Sequence, residues 1–131
     1  MNLLAQFLLS FLLSFFIQNP AKKLIITGFE NNKGKAFVEV LNEKNEAVKR
    51  LVLSINNQQV SVVLTDLSEK RYAIKVFHDE NNNQKIDFNI FGAPTEAWGA
   101  SNNTRPTFRA PTLQEMLVDI STKNEILVRV K

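Results

Sequence analysis

Residues 22–131 of this chain predict an all-β domain, an antiparallel β-sandwich of seven strands with one long ordered loop, behind an N-terminal signal helix. Three observations lead there. After Pro20, short runs follow one another in which apolar residues recur at every second position, the period of a strand with one buried face. The first four breaks between runs hold turn formers: Asn31-Asn32-Lys33-Gly34, Asn42-Glu43-Lys44-Asn45, Asn56-Asn57 and Asp66-Leu67-Ser68. No window beyond residue 20 sustains a helical period.

The first element is apolar and precedes the domain. Leu3 to Ile17 contains no charge, and Gln18-Asn19-Pro20 follows it. A membrane span needs about 20 apolar residues, so this run suits the apolar core of a signal peptide over residues 1–21, with an uncleaved anchor as the alternative. No polar face appears in it, which argues against a core helix. The expected location is extracytoplasmic, periplasmic or secreted, with membrane contact only through an uncleaved leader.

The strands follow in order. Leu24 to Phe29 is the first. In the second, Ala36, Val38 and Val40 alternate with Phe37, Glu39 and Leu41. Leu51, Leu53 and Ile55 share a face in the third, and Val60, Val62 and Leu64 share one in the fourth. Tyr72, Ile74, Val76 and His78 line the fifth. Leu117 to Ile120 and Ile126 to Val130 complete the seven, and Pro111 to Met116 is long enough for a single helical turn. The alternating faces are expected to meet between two sheets about 10 Å apart.

From Asp79 to about Gln114 the rhythm stops. This stretch holds Gly92 and Gly99 of the four glycines, Pro94, Pro106 and Pro111 of the four prolines, the only tryptophan, Trp98, and Phe88, Phe91 and Phe108. A long loop in a compact domain is usually functional or disordered, and disordered segments are poor in aromatics. A folded excursion packed on the sheets is therefore predicted.

At its start Asp79, Asn81, Asn83, Lys85 and Asp87 alternate. An EF-hand-type calcium loop takes side-chain oxygens at positions 1, 3 and 5, a backbone carbonyl at 7 and often water or a carboxylate at 9, and these residues fall on those positions, Lys85 by its carbonyl. Gln84 stands where the sharp turn usually has glycine, and Ile90 where a bidentate glutamate is usual; Glu96 or Glu80 could supply the missing carboxylate. The competing reading is a set of Asx turns, each side chain bonding its own backbone two residues on. Further along, Trp98 could stack on a sugar ring with Asn102, Asn103 and Arg105 as polar neighbours, or could plug the loop onto the sheet. Glu96 joins Trp98, Asn102 and Asn103 as a candidate ligand-binding group. His78, the only histidine, suits a packed strand end better than a catalytic base.

Composition narrows the function. Sixteen basic against 13 acidic residues give a net charge of +3, and the basic residues are dispersed, which excludes a nucleic-acid-binding patch. With no cysteine there is no disulfide, no thiol nucleophile and no lipid-modified cysteine. No Gly-x-Ser-x-Gly elbow surrounds a serine. The chain is read as a non-enzymatic, monomeric binding or structural module with a possible calcium-stabilised loop. Two alternatives stay open: a carbohydrate- or cell-envelope-binding module using Trp98 and its neighbours, and a hydrolase of unknown type using acidic residues such as Asp87 and Glu96.

Two runs carry a resemblance. His78 to Asp87 and Phe91 to Asn103 together resemble the bacterial domain-of-unknown-function family 2141, and the likeness extends from about residue 23 to 130. The chain departs from the family pattern at Gln84, where glycine is common, at Trp98, where tyrosine is common, and over Arg109 to Glu115. The resemblance implies a small exported bacterial protein without an assigned activity, with a strand pattern similar to transthyretin-like and immunoglobulin-like sandwiches. Those folds host many functions, so fold likeness leaves the chemistry open.

Overall fold

A computed structural model of the chain describes residues 20–131. The signal peptide expected over residues 1–21 thus falls almost wholly outside the described residues. What is described is nearly all-β, with eight strands in two sheets: β1 (Lys22–Thr27), β2 (Lys35–Leu41), β3 (Ala47–Leu53), β4 (Val60–Leu64), β5 (Arg71–Asp79), β6 (Trp98–Ala100), β7 (Val118–Asp119) and β8 (Glu125–Arg129). One short helix, α1 (Leu113–Met116), and a 3-10 turn at Ser101–Asn103 are the helical pieces. No helix among the described residues is long and apolar enough to cross a membrane.

The smaller sheet runs β4-β1-β8 and the larger β3-β2-β5-β6, with β7 also paired to β5. Alternation sorts the residues. In β1, Leu24 and Ile26 are fully buried, and in β2 so are Ala36, Val38 and Val40. These join Leu64, Tyr72, Ile74, Val76, Ile126, Val128 and Val130 in one core drawn from both sheets. Burying a side chain of this size completely stabilises by roughly 1.5–3 kcal/mol, so this shared core is what holds the sheets together. On the outer face of the larger sheet Phe37 stacks on Phe77 at 5.0 Å, a cross-strand aromatic pair.

Three expectations need correction. There are eight strands rather than seven, because Trp98–Ala100 lies inside the predicted loop; a run of three residues containing a glycine is too short to display a period of two. The sheets are also not wholly antiparallel, since β1 and β8 pair in parallel, Leu24 beside Ile126 and Ile26 beside Val128. Side-chain alternation records which face is buried and is silent on the direction of the neighbour. The third strand spans Ala47–Leu53 rather than Leu51 to Ile55, its outward positions filled by Val48, Arg50 and Val52. The helical turn near Met116 is found as expected, started by a capping box in which Thr112 and Glu115 each satisfy the other's backbone N–H.

Strands β6 and β7 lie on the same edge of β5. The N–H groups of Ile74 and His78 and the carbonyl of Lys70, all at even positions, point to that edge and meet Ser101, Ala97 and Ile120 in turn. The two short strands are pieces of one edge strand, broken by the 3-10 turn, the segment after it and α1. Ser101 bridges the break. Its hydroxyl, fully buried, accepts the Ile74 N–H at 2.9 Å and donates to the Met116 carbonyl. On its other side β6 meets the chain end: Trp98 and Lys131 exchange N–H···O bonds of 3.2 and 3.1 Å, linking the larger sheet to the end of β8. Gly99 is required there, because a Cβ would lie 2.3 Å from the Arg129 carbonyl oxygen.

Candidate functional site

The candidate site begins where β5 ends. Asp79 is 1% exposed and caps the following turn: Oδ1 accepts the Asn83 N–H at 3.1 Å and Oδ2 the Gln84 N–H at 2.8 Å. The chain winds tightly enough to receive both bonds because Asn82 and Gln84 take left-handed conformations, φ 57° and 61°. Asparagine tolerates that region, whereas glutamine is strained in it. Gly34 makes room for the turn's first residue, since a Cβ there would fall 2.0 Å from the Asp79 carbonyl oxygen.

Asx turns are present, as one of the two sequence readings had it. Asn81 Oδ1 accepts the Asn83 N–H at 3.3 Å, and Asn83 Oδ1 accepts the Lys85 N–H at 3.2 Å. Convergence is present as well. The Asn81 amide donates to Asp87 Oδ2 at 2.7 Å, and the Asn83 amide donates to Asp87 Oδ1 at 2.8 Å. Three of the five residues singled out in the sequence, Asn81, Asn83 and Asp87, therefore meet side chain to side chain, and Asp79 joins them through the backbone N–H of Asn83. Lys85 joins only through its backbone N–H, and its side chain is exposed.

Glu96 comes from the far side of the excursion. The His78 N–H donates to the Ala97 carbonyl at 2.8 Å, which extends the β5–β6 ladder and sets Glu96 across from Asp79. Its Oε2 accepts the Asp87 N–H at 3.2 Å, while Oε1 is buried with no hydrogen-bond partner. Burial pushes the Glu96 carboxyl up from its ordinary value, the Asp87 and Asp79 charges push it further, and the bond from the Asp87 N–H opposes them. Three carboxylates and two amides thus border one loop. Among the described residues, no three His, Cys, Asp or Glu side chains alone are placed to hold a metal ion. Coordination here would depend on amide and backbone oxygens, which suits a hard cation and not zinc. Glu80 points elsewhere, its Oε1 lying 3.7 Å from His78 Nδ1.

His78 closes the floor beneath. It is fully buried and meets Phe29 edge-on at 5.2 Å. Its Nε2 donates to the Lys33 carbonyl at 2.6 Å, and Nδ1 is buried without a hydrogen-bond partner. Above the loop, Phe88 and Pro94 face each other in a small hairpin whose base is tied by the Thr95 N–H donating to the Asp87 carbonyl at 2.9 Å.

The Trp98 group sits apart, on β6. Its ring is half-buried and carries the Arg105 guanidinium 4.0 Å above its centroid, a cation–π pair. Arg105 also donates to the Trp98 and Lys131 carbonyls, and burial lowers its pKa. Asn102 donates to the Glu115 and Leu117 carbonyls at 3.1 and 2.8 Å, and Asn103 Oδ1 accepts the Arg129 N–H at 2.9 Å. These bonds hold the ends of the broken edge strand and do not bring Trp98, Asn102 and Asn103 to the loop with Glu96. Ser101, the pivot of that arrangement, carries no signal in a run of small polar residues. The hairpin does carry one: asparagine and glycine three apart, Asn89 and Gly92, around a tight turn.

The geometry defines a class first: a two-sheet β domain that gathers carboxylate and amide side chains in a loop at the end of its strand β5. The chain belongs to a family described as uncharacterized protein conserved in bacteria (DUF2141), whose model matches residues 24–127. No curated protein and no solved structure matches the chain.

Proposed function

We propose that the chain is an exported, monomeric β-sandwich module of the immunoglobulin- or transthyretin-like kind, that it works by binding rather than catalysis, and that calcium stabilises its Asp79–Asp87 loop. The observation that carries the calcium reading is the meeting of the Asn81, Asn83 and Asp87 side chains over a turn capped by Asp79, in which Gln84, the position usually given to glycine, holds a φ of 61°. Rotating the Asn81 and Asn83 amides by half a turn would exchange nitrogen for oxygen toward Asp87. Six to eight oxygens at about 2.3–2.6 Å is what calcium requires, and Glu96 Oε1, buried without a partner, is a spare carboxylate oxygen beside the loop that could supply one. The cation would also relieve the repulsion among Asp79, Asp87 and Glu96. Export is supported by the uncharged run from Leu3 to Ile17.

The test is thermal melting in EDTA and in millimolar calcium. A ligand bound only by the folded state stabilises it by about 2.7 kcal/mol at a hundredfold excess over its dissociation constant, a shift of several degrees for a domain of this size. Asp87→Asn is expected to fold and to lose the calcium response. Identical melting curves with and without calcium would remove the cation from the proposal and leave the hydrogen-bonded loop as a purely structural feature.

A further inference from the structure

The hairpin rising from Asp87 holds two large apolar side chains out in solvent at its tip. Ile90 is 93% exposed and Phe91 is 87% exposed, with Phe88 at 58% beside them. From Phe88 to Thr95 the chain carries no charge. The tip is held in shape by its own bonds. Asn89 Oδ1 accepts the Phe91 and Ala93 N–H groups at 2.9 and 3.0 Å. The Asn89 N–H donates to the Ala93 carbonyl at 2.9 Å, and the Gly92 N–H to the Asn89 carbonyl at 3.0 Å, with Gly92 at φ 78°. Two large apolar side chains are thus presented outward by a pre-organised turn and do not fold back on the sheets.

We propose that the Ile90–Phe91 tip inserts into the interfacial layer of a lipid bilayer and docks the domain reversibly on a membrane surface. The tip is convex, so its partner must be a matching hollow or a medium that yields. Two hollows among the described residues, of about 270 and 160 Å³, mix apolar with charged lining, Leu127 with Lys123 and Glu125 in one and Ala100 with Arg105 and Arg129 in the other, so burying the tip in either would desolvate charged groups. Tip against tip between two copies is also too small. A stable protein interface buries about 1,200 Å² or more in total, whereas each aromatic side chain supplies about 150–250 Å². A bilayer sets no such minimum, because binding there grows with the apolar area inserted. Asp79, Asp87 and Glu96 lie at the base of the hairpin with exposed Lys85 beside them, so docking rests on the apolar tip and not on attraction to anionic lipid. The tip's hydrogen bonds do not involve Asp79, Asn81 or Asn83, so docking does not rest on the calcium reading.

The protein beginning at Ala21 is used for the test. It keeps every residue of the core, which runs from Leu24 to Val130, and removes the apolar N-terminal run that would bind lipid by itself. It is sedimented in EDTA with sucrose-loaded vesicles of phosphatidylcholine alone and of phosphatidylcholine with phosphatidylglycerol. Partition into both is expected, no stronger with the anionic lipid. I90D/F91D is expected to lower partition at least tenfold in both while melting at the wild-type temperature. F91W gives a second readout, a blue shift of the new tryptophan's emission on adding vesicles. The proposal is overturned if neither vesicle carries the protein down, if F91W emission does not move, or if the double variant partitions like the wild type, which would assign binding to surface charge alone. A wild-type dimer in sedimentation equilibrium that I90D/F91D abolishes would overturn it in favour of a second copy.

Discussion

Ser101 shows how much one small side chain decides here. Two buried backbone groups, the Ile74 N–H and the Met116 carbonyl, depend on its hydroxyl because the edge strand is broken at that point. Ser101→Ala leaves both unsatisfied. Each buried polar group without a partner costs about 1–3 kcal/mol, so a loss on the order of 3 kcal/mol is expected, read as a lower denaturant midpoint at unchanged slope. Gln84 is the opposite case, a residue whose own conformation is unfavourable and is maintained by the bond its N–H makes to Asp79. Both effects are set by backbone geometry. The residue type alone announces neither of them, although the asparagines around Gln84 do mark the turn.

Among the elements, α1 is too short to stand on propensity and is held by its cap. Glu115 accepts the Thr112 N–H at 2.8 Å and is gripped by the Arg109 guanidinium through two bonds of 2.9 and 2.8 Å. The Arg109 hydrogen bond, first, and the Thr112 N–H bring the Glu115 carboxyl down from 4.5 to about 2. Because the folded value is depressed, this contribution is complete above the unfolded value of 4.5 and is lost as pH falls through about 2. Arg109→Ala is expected to move the Glu115 titration, followed by carboxyl-carbon NMR, back up toward the ordinary carboxylate range. A midpoint that stays near 2 in the variant would show that the cap alone sets it. Glu96 runs the other way: its folded value is raised, so stability falls as pH rises through its titration, unless a cation offsets the charge.

At the scale of the whole molecule, the two sheets are not independent. Leu24, Ile26 and Val128 from one sheet lie in the same core as Val38, Ile74 and Val76 from the other, and the Trp98–Lys131 bond pair ties their edges. Neither sheet keeps its buried face without its neighbour. The protein beginning at Ala21 is therefore expected to unfold in one cooperative transition, with Trp98 fluorescence and far-ultraviolet circular dichroism giving the same midpoint. Two separated midpoints would show that the smaller sheet melts by itself.

The sequence by itself determined the all-β class, the approximate place of seven strands, the single helical turn and the position of the loop. Each follows from local chemistry: a period of two in β1, β2 and β5, turn residues between them, and alternating oxygen-bearing side chains from Asp79 to Asp87. Tertiary structure alone decided that β8 runs parallel to β1, that β6 and β7 are one broken edge strand, and that Glu96 reaches Asp87 while Trp98 is covered by Arg105. The physical reason is the range of the interactions. Burial patterns and turns are written in neighbouring residues, whereas the direction of a strand partner and the meeting of distant side chains depend on how the whole chain closes over its core.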